Sequence, residues 1–205
     1  MSYTRVTGRK NGVEASVLFF VPLKKWAEVQ KLTLKNESNE VKNLKLFSFE
    51  EWCLWNAATD MENFQRNFST GEVEIEGSTI YHKTEYRERR NHYAFYHVNT
   101  EIQGFDTDRE TFVGLYNEFA DPQVVMEGRP RNSHAHGWSP IASHYIEVTL
   151  KPGESKDFVF LLGYIENEQD KKFSAPQVIN KDKAHALIAE LDTTAKVDKA
   201  FAELC

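Results

Sequence analysis

The residues best suited to chemistry lie in the run Glu51-Trp52-Cys53-Leu54-Trp55 and, a few positions later, in Asn63-Phe64-Gln65-Arg66-Asn67-Phe68. Arg66 carries a permanently charged planar fork of five donors, and Gln65 and Asn67 each offer an amide that both donates and accepts. Such groups match vicinal hydroxyls, while the Trp and Phe rings match the apolar face of a sugar. The composition is that of a sugar-contacting surface.

Other candidate chemistry has a plainer reading beside it. Asp106-Thr107-Asp108 spaces two carboxylates as a hard cation would want them, but the surrounding Gly104-Phe105 and Arg109 make turn-forming aspartates the simpler account. His134-Ala135-His136 would place two imidazoles on one face of an extended segment, with His144 nearby. Zinc would want a third or fourth ligand and both cysteines are distant in sequence, so a solvated loop is the simpler expectation and no metal site is assigned. The 31 Asp and Glu residues could supply an acid and a base for glycoside hydrolysis, yet the sequence singles out no pair. Cys53 sits among apolar neighbours that would raise its pKa, which makes it inert. The run Tyr86-Arg87-Glu88-Arg89-Arg90-Asn91-His92-Tyr93 reads either as a solvated turn or as an interface or ligand rim, with Arg87, Arg89, Arg90 and Tyr93 as its contact residues.

The elements that must position these groups read as strands. Val13 to Val21 is an apolar strand, and Leu32 and Leu34, then Leu44 and Leu46, alternate with polar residues, joined as a hairpin by Asn36-Glu37-Ser38-Asn39-Glu40. Val73 and Ile75 alternate with glutamates before Gly77-Ser78 and a strand from Thr79 to about Tyr86, a second hairpin. Tyr93 to Asn99 follows. Ile146, Val148 and Leu150 then lead through Lys151-Pro152-Gly153-Glu154 into Phe158-Val159-Phe160-Leu161-Leu162, which is apolar on both faces and therefore a central buried strand. After Glu166 the spacing turns helical, first at Ala184, Leu187, Ile188 and Leu191 and again at Val197, Phe201 and Leu204. The fold class is mainly β, an antiparallel β-sandwich over residues 1–168 followed by linker α-helices over 169–205.

Composition narrows the partners. The 205 residues are 40% hydrophobic and 13% aromatic, which is globular, and the net charge of -6 gives no basic footprint for nucleic acid or an anionic membrane. Two cysteines imply no disulfide framework, so a reducing cytoplasmic location is compatible, and no run approaches the length of a membrane span.

Beyond composition, three long motifs occur in order. Glu51-Trp52-Cys53-Leu54-Trp55, the stretch Asn63 to Ile75 and the stretch Tyr81 to Phe95 closely resemble the cellobiose phosphorylases of glycoside hydrolase family 94. The likeness extends through Val17-Leu18-Phe19-Phe20-Val21-Pro22-Leu23, Gly104 to Arg109 and Phe158 to Tyr164. The resemblance implies a galactose mutarotase-like β supersandwich that precedes an (α/α)6 catalytic barrel. On that implication the chain is the later part of the sandwich plus its first linker helices, without opening strands, barrel or general acid, and inactive alone. The family reaction is reversible phosphorolysis of cellobiose, with inversion, to α-D-glucose 1-phosphate and glucose. It implies a β-linked glucose disaccharide as ligand, inorganic phosphate as co-substrate, no other cofactor, and a homodimer. The family's Gln-Arg pair falls on Gln65 and Arg66 as substrate-binding residues, with Phe64 and Asn67 shaping the loop and no catalytic residue in this chain. A free-standing carbohydrate-binding sandwich, using Trp52, Trp55, Trp138 and Arg66, or a dimerisation domain, is the competing reading.

Overall fold

The computed structural model describes residues 3–52, 71–84, 91–135, 137 and 140–204. In chain order its strands are β1 (Tyr3–Lys10), β2 (Val13–Phe20), β3 (Ala27–Asn36), β4 (Lys42–Phe47), β5 (Glu50–Glu51), β6 (Gly71–Glu76), β7 (Thr79–Thr84), β8 (His92–Val98) and β9 (Gly104–Asp108). Two short helices, α1 (Arg109–Val113) and α2 (Gln123–Glu127), come next, then β10 (Pro140–Leu150), β11 (Ser155–Glu166) and a small hairpin of β12 (Phe173–Ala175) and β13 (Val178–Ile179). Helices α3 (Asp182–Leu191) and α4 (Thr194–Leu204) end the described chain.

A seven-stranded antiparallel sheet runs in the order β1-β2-β3-β11-β8-β7-β6, and a second, four-stranded sheet is built on β10, which pairs with β4, β5 and β9. Alternation divides the large sheet into two buried faces. Ala94, Tyr96, Val98, Phe158 and Phe160 face the small sheet, whereas Tyr93, Phe95, Val159 and Leu161 face the helices, where Ala184, Leu187, Leu191 and Val197 cover them. This accounts for the doubly apolar β11: it is the fourth of seven strands and is buried from both sides. Close approach is demanding here, because a Cβ on Gly163 would stand 2.1 Å from the Phe95 ring.

Both edges of the large sheet carry charge, Arg5, Arg9 and Lys10 on β1 and Glu72, Glu74 and Glu76 on β6, which disfavours pairing with a further strand. The β1 strand escaped the alternation signal since all eight of its residues are exposed. It is set by its turn: Asn11 and Gly12 have φ of 53° and 77°, the left-handed pair that a two-residue hairpin needs. Gly77, with φ of 57°, opens the equally tight β6–β7 turn that the sequence indicated.

One expected hairpin is overturned. β3 and β4 do not pair; β3 lies between β2 and β11, and β4 crosses to β10 in the other sheet. The cause is Asn36, fully buried at the corner. Its Nδ2 donates to the carbonyls of Glu40 (2.7 Å) and Leu150 (3.0 Å), and its Oδ1 accepts from the Ser38 N–H (3.0 Å) and hydroxyl (2.7 Å). The Lys151–Glu154 turn is a second corner between the sheets, tied to the first by Asn36 N–H to Glu154 O (2.9 Å) and Gly153 N–H to Asn36 O (3.0 Å). Two crossings thus brace each other at one end of the sandwich.

Candidate functional site

At the opposite end of the sandwich the strands release their long connections. β5 pairs with the start of β10 through Glu51↔Ile141, and the next residue, Trp52, crosses to stack on His82 of β7 with ring centroids 5.5 Å apart. The segment 53–70 leaves from Trp52 and rejoins at β6, whose Gly71 pairs with Thr84 at the end of β7; segment 85–90 then links β7 to β8. The roots of both segments therefore meet at one end.

Gln65, Arg66, Phe64, Asn67, Arg87, Arg89 and Arg90 lie outside the described residues, as do Cys53, Trp55, His136 and Trp138. Tyr93 is described, and its expected place at an interface needs correction. It is wholly buried on the helix side of β8, 6.1 Å from the Tyr81 ring, and burial raises its phenol well above the ordinary range. The reason is parity: His92, one residue earlier, takes the other face and pairs with the Tyr164 hydroxyl.

The stack at the loop root carries unpaired polarity. Trp52 is 6% exposed and His82 equally buried, yet the Trp52 indole N–H and the His82 Nδ1 have no hydrogen-bond partner. Burial lowers the His82 imidazole to about 4, so the ring is neutral near pH 7. Beside them on the same face of the large sheet is a network that sequence reading missed. Gln30 Nε2 donates to Glu28 Oε1 (3.0 Å) and to Glu50 Oε1 (2.8 Å), and Gln30 Oε1 accepts from the Tyr96 hydroxyl (3.0 Å). Burial raises the Glu50 carboxyl, the Gln30 hydrogen bond opposes the rise, and the Glu28 charge adds to it. Neither carboxylate pairs with a cation among the described residues. The signal was present in the strand: Glu28 and Gln30 share parity with Leu32 and Leu34, so the core-facing positions of β3 turn polar toward its start.

The remaining polar clusters hold structure. Lys83 is buried yet bridges Glu72 (2.8 Å) and Glu74 (3.1 Å) and donates to the Gln177 carbonyl, while Lys181 meets Glu74 at 2.7 Å. Burial would raise the Glu74 carboxyl, but hydrogen bonds from Lys181, the Ile179 N–H and Lys83 bring it below its ordinary value. This clasp fastens the β12–β13 hairpin and α3 to the β6–β7 hairpin. Asp106 is no turn residue; it is buried in β9 and accepts from the Ser133 hydroxyl (2.7 Å) and the N–H groups of Ser133 (3.0 Å) and Arg131 (3.1 Å). Asp108 caps α1 through the Thr111 N–H (2.7 Å). His134 is exposed against the edge of Phe105, and His144 lies apart from it in the core, with Nδ1 3.0 Å from the Ser48 hydroxyl. The Asp-x-Asp spacing thus serves loop anchoring and helix capping, and His134 is a solvated side chain.

Comparison with known proteins agrees with the architecture. The family described as glycosyl hydrolase 94, supersandwich domain, matches residues 1–194. An N,N'-diacetylchitobiose phosphorylase of Vibrio proteolyticus is 28% identical over 217 residues, covering 100% of this chain and 24% of its own length. A solabiose phosphorylase of Paenibacillus borealis is 26% identical over 204 residues, covering 96% of this chain and 26% of that protein. The chain therefore spans about a quarter of these curated relatives. A solved structure described as a kojibiose phosphorylase from the human microbiome superposes with a TM-score of 0.54 at 12% identity, covering 97% of this chain and 22% of that one, a likeness of fold alone.

Proposed function

Because the chain belongs to the glycosyl hydrolase 94 family, as its supersandwich domain, we propose that it is the sandwich part of an inverting glycoside phosphorylase acting on a β-linked disaccharide. The observation that carries the reading is the family match over residues 1–194, with disaccharide phosphorylases among the relatives aligned across nearly the whole chain. In the reaction a phosphate oxygen bonds to the anomeric carbon from the face opposite the glycosidic bond. That bond breaks, and an acid outside this chain gives its proton to the leaving oxygen. Phosphate arrives as an anion, so one acid suffices where hydrolysis would need a base as well.

The role of this chain is orientation. Gln65 and Arg66, on the segment rooted at Trp52, hydrogen-bond the leaving-group sugar, and Phe64 and Asn67 shape the loop around it. Cellobiose is the substrate suggested by the motifs, and the diacetylchitobiose and solabiose relatives widen the class to disaccharides that differ in substituent and partner sugar. The reading includes a cytoplasmic homodimer that uses inorganic phosphate and needs no other cofactor. No helix among the described residues is long and apolar enough to cross a membrane.

The test is direct. The full-length protein is incubated with phosphate and, separately, cellobiose, N,N'-diacetylchitobiose and solabiose, and sugar 1-phosphate is measured. One of the three should be phosphorolysed, and Arg66→Ala should lower its kcat/KM by about 10- to 150-fold, the equivalent of a lost hydrogen bond to a charged group of roughly 1.5–3 kcal/mol. Binding without turnover on every sugar would instead identify a non-catalytic module.

A further inference from the structure

We propose that the open end of the sandwich carries a saccharide subsite of its own, in which Glu28 and Glu50 accept sugar hydroxyls, the Trp52 indole N–H donates, and Trp26 offers a stacking face. The inference rests on the phosphorylase reading only for the class of ligand.

Strand register brings these groups together. His82 of β7 pairs with Ala94 of β8, Ala94 with Tyr164 of β11, and the Tyr164 N–H donates to the carbonyl of Trp26 just before β3 (3.0 Å). The adjacent row runs Ile80, Tyr96, Leu162, Glu28. Residues opposite one another in a sheet share a face, so Trp26, Glu28, Tyr164 and His82 all stand on the side that faces the small sheet. From that small sheet Glu50 reaches Gln30 and, two residues on, Trp52 covers His82. Cover ends there. Ala94 is the smallest side chain of its row, Leu162 and Tyr164 are only partly buried, and Trp26 at the row's end is 70% exposed.

The chemistry selects the ligand. Two carboxylates share one amide donor, no cation pairs with either among the described residues, and their remaining lone pairs call for donors. An anion would be repelled. A bound metal would want more ligands, and no group of three or more His, Cys, Asp or Glu among the described residues is disposed to hold one. Trp52 supplies the independent sign of a ligand, since its ring, buried between the two sheets two residues after Glu50, carries an indole N–H that lacks an acceptor. A sugar meets each demand, with hydroxyl protons for the carboxylates, a hydroxyl oxygen for the indole N–H and a C–H face for Trp26. Within the phosphorylase reading, such a subsite would hold a sugar unit through residues other than Gln65 and Arg66.

Calorimetric titration of the full-length protein with cellobiose and with N,N'-diacetylchitobiose tests the idea. We expect a binding event that survives Arg66→Ala and weakens roughly tenfold in Trp26→Ala and in Glu28→Gln, about the effect of one lost charge-assisted contact. Trp26 is a surface ring, so its variant keeps the test sound if a change at Glu28 disturbs folding. Sugar binding that none of these variants moves would overturn the subsite. So would Ca²⁺ or Mg²⁺ binding lost in Glu28→Gln with no sugar binding. The phosphorolysis assay separates the two readings: turnover with no Trp26-dependent binding removes the subsite alone, and Trp26-dependent binding with no turnover removes the phosphorylase alone.

Discussion

The two ends of this sandwich are built on opposite terms. At the corner end, where β3 crosses to β4 and β10 to β11, the buried Asn36 side chain uses both its donor and its acceptor, and the apolar row of Leu32, Leu34 and Phe158 is sealed beneath. At the loop end, two buried ring nitrogens lack partners and two carboxylates share one amide. A buried polar group left unpaired costs free energy that packing must offset elsewhere. The contrast teaches a division of labour: the corner end supplies stability, and the loop end holds polar groups that the described residues leave unpaired.

The largest effect should come from breaking the corner end. Phe158 is 1% exposed between the sheets, and Phe158→Ala should destabilise the protein by about 3–5 kcal/mol, read as a lower urea midpoint at unchanged slope. Asn36→Ala should follow at roughly 2–3 kcal/mol, because the carbonyls of Glu40 and Leu150 lose their donor in a buried corner. A loss under ~1 kcal/mol in either variant would end the claim that this end holds the fold.

These predictions also mark what the sequence made legible. The central strand was readable because Phe158 to Leu162 is apolar on both faces, and the helices because Ala184, Leu187, Leu191 and Val197 keep helical spacing. Alternation, however, identifies a strand and not its partner. Leu32 to Leu46 read as a hairpin since the information that parts β3 from β4 lies in one buried side chain contacting Leu150, more than a hundred residues away. The same limit hid the Glu28–Gln30–Glu50 network, whose members meet only once β5 is laid over β3. In the reverse direction, Tyr93 sits beside arginines in sequence but inside the core in space.

Acid should expose the difference in a graded way. Burial lowers the imidazoles of His82 and His97 to about 4 and that of His144 to about 3, against an ordinary 6.5. A histidine whose folded pKa lies below its unfolded one binds its proton more readily unfolded. Its stabilising contribution is therefore full above pH 6.5 and is lost as pH falls from there toward 4. Each should cost on the order of 1–2 kcal/mol between pH 7 and pH 5. His82→Phe keeps a ring beneath Trp52 and removes one titration, so its stability should fall less steeply with acid than the wild type, measured by urea unfolding across that range. An unchanged slope would mean that His82 is not held neutral at the loop end.

The smallest effect should come from Trp26, and it sharpens the comparison most. A ring 70% exposed contributes little burial, so Trp26→Ala should change unfolding free energy by less than ~0.5 kcal/mol. Set beside Phe158→Ala, an aromatic deletion on the same face of the same sheet, the difference should approach an order of magnitude. A small effect would leave the ring free to meet a ligand without cost to the fold, as the proposed subsite requires. If Trp26→Ala instead unfolds the protein readily, the ring is part of the packing and the loop end is simply a looser edge of the core.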